Sequence, residues 1–200
     1  NNIVVGASRL NNLIVLPGQT VSVSDTILPR TRANGYKEAG VYVNGAHTSG
    51  LGGGVCQISS TVYNAVKNAG LTVVQRNPHS MPVSYLPKGL DAAIAAGSKD
   101  LKFRNDYTTP VVLYTDTSNK HLTVNVLVWN QELAGRSFKL WAKQTGALSA
   151  DTYFTTYLNG KEISTQFVGT SRYNPYREAV NDECRAFPKS VRLFISQRPY

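Results

Sequence analysis

Three consecutive glycines run straight into a cysteine at Gly52-Gly53-Gly54-Val55-Cys56, and the cysteine opens an apolar-periodic segment. Ile58, Val62, Ala65, Val66 and Ala69 recur at helical spacing, and Gly70 supplies a C-terminal stop. The pattern predicts a helix with Cys56 at or within one turn of its N-terminus. Backbone N–H groups there lack intrahelical partners, and the helix dipole favours an anion. A thiolate held in such a place ionises below the ordinary cysteine value of roughly 8.5. The glycines also let other backbone, or a ligand, approach the sulfur closely. The plainer alternative is a cysteine that serves as a small buried hydrophobe.

The chain has 200 residues, enough for one large domain or two small ones, and 42% of them are hydrophobic. No apolar run reaches the length of a membrane span and no signal peptide is visible. The chain opens inside an amphipathic pattern, so an upstream anchor is compatible with it, and any membrane link is expected to lie outside this chain. With 21 basic against 12 acidic residues the formal charge is +9. The basic residues are scattered and form no nucleic-acid motif, which argues against a nucleic-acid partner. A soluble basic surface, or attraction to an anionic wall polymer or membrane surface, fits them. Cys56 and Cys184 are the two cysteines. A bridge between them would close a very long loop, a poor match to a disulfide scaffold, and no Cys/His metal spacing exists, so neither metal nor cofactor is expected.

Along the chain, Ile3, Val4, Ala7, Leu10 and Leu13 read as one helical face, with Asn2, Ser8, Arg9 and Asn11 opposite. Residues 20–27 alternate as a short strand, and residues 29–40 read as a basic loop. Val41-Tyr42-Val43 precedes an Asn44-Gly45 hairpin turn. After the cysteine helix come a strand over 71–76 and a segment over 77–87 that its prolines keep from being helical. Asp91 opens an apolar strand, residues 101–105 alternate as another, and 110–115 pairs with 121–129 about Ser118-Asn119. Beyond about residue 130 the texture turns to β-strands, with an Asn159-Gly160 hairpin, an exposed aromatic loop over 171–176 and a tail without clear period. The expected architecture is α+β: a cysteine-bearing helix on a mostly antiparallel sheet over residues 1–130, followed by a β-rich extension over 131–200.

A cysteine nucleophile needs a base and a group that orients the base. Of the three histidines, His121 begins a strand. His47 lies in the loop before the glycines, and His79 lies in the rigid proline-bounded segment after the strand that follows the cysteine helix. His79 is the preferred base and His47 its alternative. Asp91 is the preferred orienting carboxylate, because a charge at the head of an apolar strand needs a partner. Asp100 and Tyr85 are substitutes. The order cysteine at a helix start, histidine, then polar acceptor is analogous to the papain-type arrangement, and N–H groups at the helix start, with Gln57 nearby, suit an oxyanion.

Pro29-Arg30-Thr31, Gly35-Tyr36-Lys37-Glu38-Ala39, the run from Gly52 to Ala65, Asn77-Pro78-His79-Ser80, Pro82-Val83-Ser84-Tyr85 and Gly89-Leu90-Asp91-Ala92 resemble the VanW domain family, over roughly residues 1–115. Asn159-Gly160-Lys161-Glu162 and Ser171-Arg172-Tyr173-Asn174-Pro175 are similar to the β-rich extension that often follows it. This chain has Gly89-Leu90-Asp91 where the family pattern has Gly-Arg-Asp. The resemblance implies an extracytoplasmic, wall-associated protein, some of whose kin are peptidoglycan L,D-transpeptidases with a catalytic cysteine, here Cys56. The chain departs from the other L,D-transpeptidase family, of YkuD type, in which a histidine precedes a Ser/Thr-His-Gly-Cys motif.

On that reading a monomer acts on peptidoglycan stem peptides through a thioester at Cys56. Arg30, Arg32, Arg76 and Lys37 are candidates for the substrate carboxylates, which suit a guanidinium fork. Tyr36, Gly54, Gln57 and Tyr85 are expected to line the cleft. The alternatives are a cysteine peptidase trimming the same stems, with water as acceptor, and a non-catalytic wall-binding module.

Overall fold

A computed structural model describes residues 1–43 and 46–176, leaving aside the side chains of residues 42–48. The Asn44-Gly45 turn, the His47 side chain and the tail with Cys184 lie outside the described residues. In chain order the elements are α1 (Asn2–Ser8), β1 (Leu13–Val15), β2 (Thr20–Ser22), α2 (Val23–Thr26), β3 (Glu38–Val43), β4 (Ala46–Leu51) and α3 (Val55–Asn68). Then come β5 (Thr72–Gln75), β6 (Lys102–Arg104), β7 (Val111–Asp116), β8 (Thr123–Leu127), the single turn α4 (Asn130–Leu133), β9 (Arg136–Gly146), β10 (Ser149–Leu158) and β11 (Lys161–Arg172).

Among the described residues the strands form four small antiparallel sheets, ordered β1-β7-β8, β2-β6-β5, β3-β4 and β11-β10-β9. The fold class is α+β with a β-rich extension. The expectation of a helix lying on one sheet changes in detail, because α3 packs against α1, β5, β8 and β9 together. Ile58, Val62 and Val66 on α3 join Leu10, Ile27, Leu71, Leu101, Phe103 and Leu113 in the core. Each such side chain contributes about 1.5–3 kcal/mol by leaving water. The last strands reach this core through Leu140. The Leu140 N–H donates to Asn68 Oδ1 on α3 at 2.6 Å, and the Lys67 ammonium sits 3.7 Å from the centroid of Phe154.

Several local expectations are corrected. The strand over 20–27 stops at Ser22, because the Ser22 hydroxyl accepts from the Asp25 N–H at 3.0 Å and caps a helical turn. On α1 Val4, placed on the apolar face, is exposed, and Asn2, placed opposite, is buried. The Asn2 carboxamide donates to the Lys37 and Gly53 carbonyls at 2.8 and 2.9 Å and accepts from the Lys37 N–H at 2.7 Å, so its burial leaves no polar group unmet. Residues 91–94 belong to no strand. Nor is the span 171–176 an exposed loop throughout: Ser171 and Tyr173 are buried.

Candidate functional site

The glycine run delivers Cys56 to its position by two separate demands. A Cβ on Gly53 would stand 2.5 Å from the Gly40 carbonyl oxygen, so only glycine lets β3 pass this close. Gly54 caps α3 at φ +95°, a left-handed conformation that side chains resist. Cys56 therefore enters the first turn of α3, half-buried and free of any disulfide.

Opposite Cys56 runs an extended segment, and its placement is a matter of pitch. Cys56 Sγ donates to the Ile94 carbonyl at 3.4 Å. One turn on, Ser60 Oγ accepts from the Ala92 N–H at 2.9 Å, and Ser59 and Ser60 both donate to the Ala92 carbonyl. Another turn on, Asn64 Nδ2 donates to the Leu90 carbonyl at 2.7 Å. Four helical residues rise about 6 Å and two extended residues about 6.6 Å, so the contacts stay in step. The segment thus lies antiparallel along α3 with residues 90, 92 and 94 turned to the helix.

The intervening Asp91 points elsewhere, at full burial, into a ring of donors. Its Oδ2 accepts from the His79 backbone N–H at 2.7 Å and lies 2.7 Å from His79 Nδ1. Its Oδ1 accepts from the Tyr173 hydroxyl at 2.5 Å and from Arg76 Nη2 at 3.2 Å. Burial works against the charge, but the bonds from His79 and Tyr173 and the charge of Arg76 prevail and hold the carboxyl down at about 2. For His79, burial again works against the charge. The Asp91 bond and the facing Cys56 outweigh it and carry the imidazole up to about 9. Burial likewise pushes the Cys56 thiol up, yet the hydrogen bond and charge of His79, with Arg30 behind, bring it below its ordinary value. Thiol, imidazole and carboxylate therefore stand in series, and the imidazole favours ionisation of the thiol. The Ile94 carbonyl bond is open only to the protonated thiol.

The other expected site residues divide. Tyr85 stands beside the pair, its ring 6.5 Å from that of His79 in an edge arrangement and its hydroxyl 3.5 Å from Ser60 Oγ. Burial pushes the Tyr85 phenol far up, so it stays protonated. Arg30 lies close enough to bias Cys56; its Nη2 donates to Ser24 Oγ at 3.1 Å, while its buried Nε has no partner. Gln57 is half-buried one residue beyond the cysteine, and its N–H donates to the Gly54 carbonyl at 3.0 Å.

Three residues take other places. Tyr36 is a core residue whose hydroxyl donates to the Ile27 carbonyl at 2.8 Å; with Arg32, Gly35, Lys37 and Glu38 it borders a cavity that Cys56 and His79 do not line. Arg32 projects into solvent, 78% exposed, paired with Glu38. Arg76 turns inward: Nε donates to the Asp91 carbonyl at 2.7 Å, Nη1 to Ser171 Oγ at 2.9 Å and Nη2 also to the Gly89 carbonyl at 3.1 Å. It holds Asp91 rather than a ligand. Asp100, the substitute carboxylate, is bound to Ser22 Oγ and to the Ser24 and Leu101 N–H groups. His121 sits just before β8. Among the described residues no cluster suits a metal ion and no helix is long and apolar enough to cross a membrane.

Sequence reasoning missed Ser59, Ser60, Asn64, Ser171 and Tyr173. Ser60 and Asn64 did carry a signal, a polar pair at i and i+4 on the helix that bears Cys56. Tyr173 carried none, being 82 residues from Asp91.

The arrangement defines an α+β protein with a cysteine, an imidazole and a buried carboxylate aligned at a helix N-terminus. The family model described as VanW like protein matches residues 1–127, and the chain belongs to that family. It is 42% identical over 113 residues to the uncharacterized protein YoaR of Bacillus subtilis, a match covering 56% of this chain and 37% of that protein. It is 36% identical over 110 residues to the vancomycin B-type resistance protein VanW of Enterococcus faecalis, covering 52% of this chain and 40% of that one. The chain thus spans less than half the length of these curated relatives. No solved structure gives a significant match.

Proposed function

We propose that this chain is a cysteine acyltransferase of the bacterial cell wall, an L,D-transpeptidase acting outside the cytoplasm on peptidoglycan stem peptides. Membership of the VanW-like family points to a wall-related role. The observation that carries the chemistry is the Cys56–His79–Asp91 series, with its 2.7 Å imidazole–carboxylate bond and a thiol whose ionisation is favoured.

The thiolate attacks the carbonyl carbon between the third and fourth residues of a donor stem. The Val55 and Gln57 N–H groups are engaged with the Gly52 and Gly54 carbonyls, which leaves the Cys56 amide as the backbone donor to the oxyanion. The tetrahedral species collapses, the C–N bond breaks, and the His79 imidazolium gives its proton to the departing amine. A thioester on Cys56 remains. An amine of a neighbouring stem attacks it, His79 takes the surplus proton, and the sulfur leaves as thiolate. Arg30 supplies positive charge for a stem carboxylate. Any membrane attachment is expected to come from outside this chain.

Cys56 is only partly buried, so water can serve as the acceptor, which supports a second reading as a carboxypeptidase. Incubating the protein with purified tetrapeptide stems and following products by mass spectrometry tests both. The transpeptidase gives a cross-linked dimer and an acyl adduct on Cys56, and Cys56→Ala gives neither. Trimmed monomer alone would replace the first reading by the second. A Cys56→Ala protein that still processes stems would overturn both.

A further inference from the structure

The family match ends at residue 127, yet the contacts that complete the Asp91 environment come from residues 171–174. Ser171 Oγ accepts from Arg76 Nη1 at 2.9 Å. The Tyr173 hydroxyl donates to Asp91 Oδ1 at 2.5 Å and accepts from the Gly89 N–H at 2.7 Å. The Asn174 N–H donates to the Ser80 carbonyl, one residue beyond His79, at 2.7 Å. One short stretch at the end of β11 therefore grips both segments that carry Arg76, His79 and Asp91. β10 adds a further hold, Thr152 Oγ1 donating to the Gly89 carbonyl at 2.9 Å.

Tyr173 is built for this task. It is 6% exposed, and its N–H is anchored to the Leu148 carbonyl at 2.8 Å, so the ring has little freedom. Burial, with the Asp91 bond and charge adding to it, pushes the phenol up to about 12, so the hydroxyl stays a donor. Asp91 Oδ2 serves His79, and Oδ1 would otherwise hold only the longer Arg76 bond. Without the Tyr173 hydroxyl, Oδ1 keeps only the Arg76 bond while Oδ2 keeps its two contacts with His79, so the carboxylate is held less firmly against rotation and its aim at the imidazole loosens.

We propose that Tyr173 is a positioning residue for the Cys56–His79–Asp91 series, so that the β-rich extension is part of the working site. This rests on the proposed thiol chemistry. The groups that face Asp91 are Arg76 and His79 on the segment after α3, Tyr63 on α3, Tyr85, and Tyr173 itself. Tyr173 is the one the extension brings.

The test is the rate of iodoacetamide alkylation at Cys56 against pH, in the full chain, for wild type, Tyr173→Phe, Asp91→Asn and the double variant. A Cys184→Ser background isolates the signal. Tyr173→Phe keeps the ring and removes only the hydroxyl. The expected result is a roughly ten-fold slower reaction at neutral pH, about one pK unit of lost thiolate bias. In the Asp91→Asn background the same change is expected to add nothing, because the effect runs through the carboxylate. A Tyr173→Phe rate within two-fold of wild type, or an equal loss in both backgrounds, overturns the inference. A wild-type Cys56 no more reactive than a free thiol strikes at the proposed chemistry instead. Should Tyr173→Phe fail to fold, Ser171→Ala, which removes one Arg76 contact, takes its place with the same criteria.

Discussion

The ionisation of Cys56 is set by opposed effects. Burial alone would make it a poor thiolate, and His79 reverses the sign. Replacing His79 by Ala should therefore do more than remove a base. The Cys56 titration midpoint should move up, past that of a free thiol, and alkylation at neutral pH should slow by at least about ten-fold. In the intact protein, acyl transfer should rise with pH as the thiol ionises and fall as His79 loses its proton near 9, because the leaving amine then has no donor. A pH–rate profile that keeps climbing beyond that value would count against His79 as the acid. Asp91 has a separate signature in stability. Its folded value of about 2 lies below its ordinary 3.8, so its contribution is present above pH 3.8 and is lost as pH falls through about 2. The shift corresponds to about 2 kcal/mol. Urea midpoints of wild type and Asp91→Asn should differ at neutral pH and converge in acid. Cys56, His79 and Asp91 could be read from the sequence because each is a chemically unusual residue in an unusual local setting. Arg76 was read as a ligand-binding cation because a side chain's direction is not written in its neighbours; folding turned it toward Asp91.

At the scale of elements, α3 and the extended segment 90–94 act as one part. The helix was legible from its apolar period and from Gly70. The segment was not, and residues 91–94 passed for a strand because Ala92-Ala93-Ile94 is apolar. They are buried by α3 rather than by a sheet, and their backbone groups go to the Ser59 and Ser60 hydroxyls, the Cys56 thiol and the Asn77 carbonyl instead of a neighbouring strand. Ser60→Ala removes the acceptor for the Ala92 N–H and leaves it buried and unmet. That should destabilise the fold by about 1–3 kcal/mol. It should also slow Cys56 alkylation, since Asp91 rides on the same segment. Thermal melts and alkylation rates of this variant check both. A melt unchanged from wild type would show that the stitches are redundant. The β2–α2 boundary was missed for a related reason: a single capping hydroxyl at Ser22 decides it.

At the scale of the molecule, the extension is seated twice on the rest of the chain. It meets the far end of α3 at Asn68 and the 89–91 segment at Thr152 and Tyr173. Asn68→Ala would orphan the Leu140 N–H at the first seat. An expected loss of about 1–3 kcal/mol in urea unfolding, with Cys56 alkylation little changed in the folded protein, would separate the two seats. The β-strands and hairpin of the extension were legible from alternation and from Asn159-Gly160, whereas where they dock was not, because docking is decided by residues far apart in sequence. That distance has a consequence for a half-synthesised chain. Asp91 leaves the ribosome 82 residues ahead of Tyr173, so through all that interval the thiol waits beside an unfinished clamp. On the proposed chemistry the protein is born with its thiol disarmed, and the closing hairpin arms it.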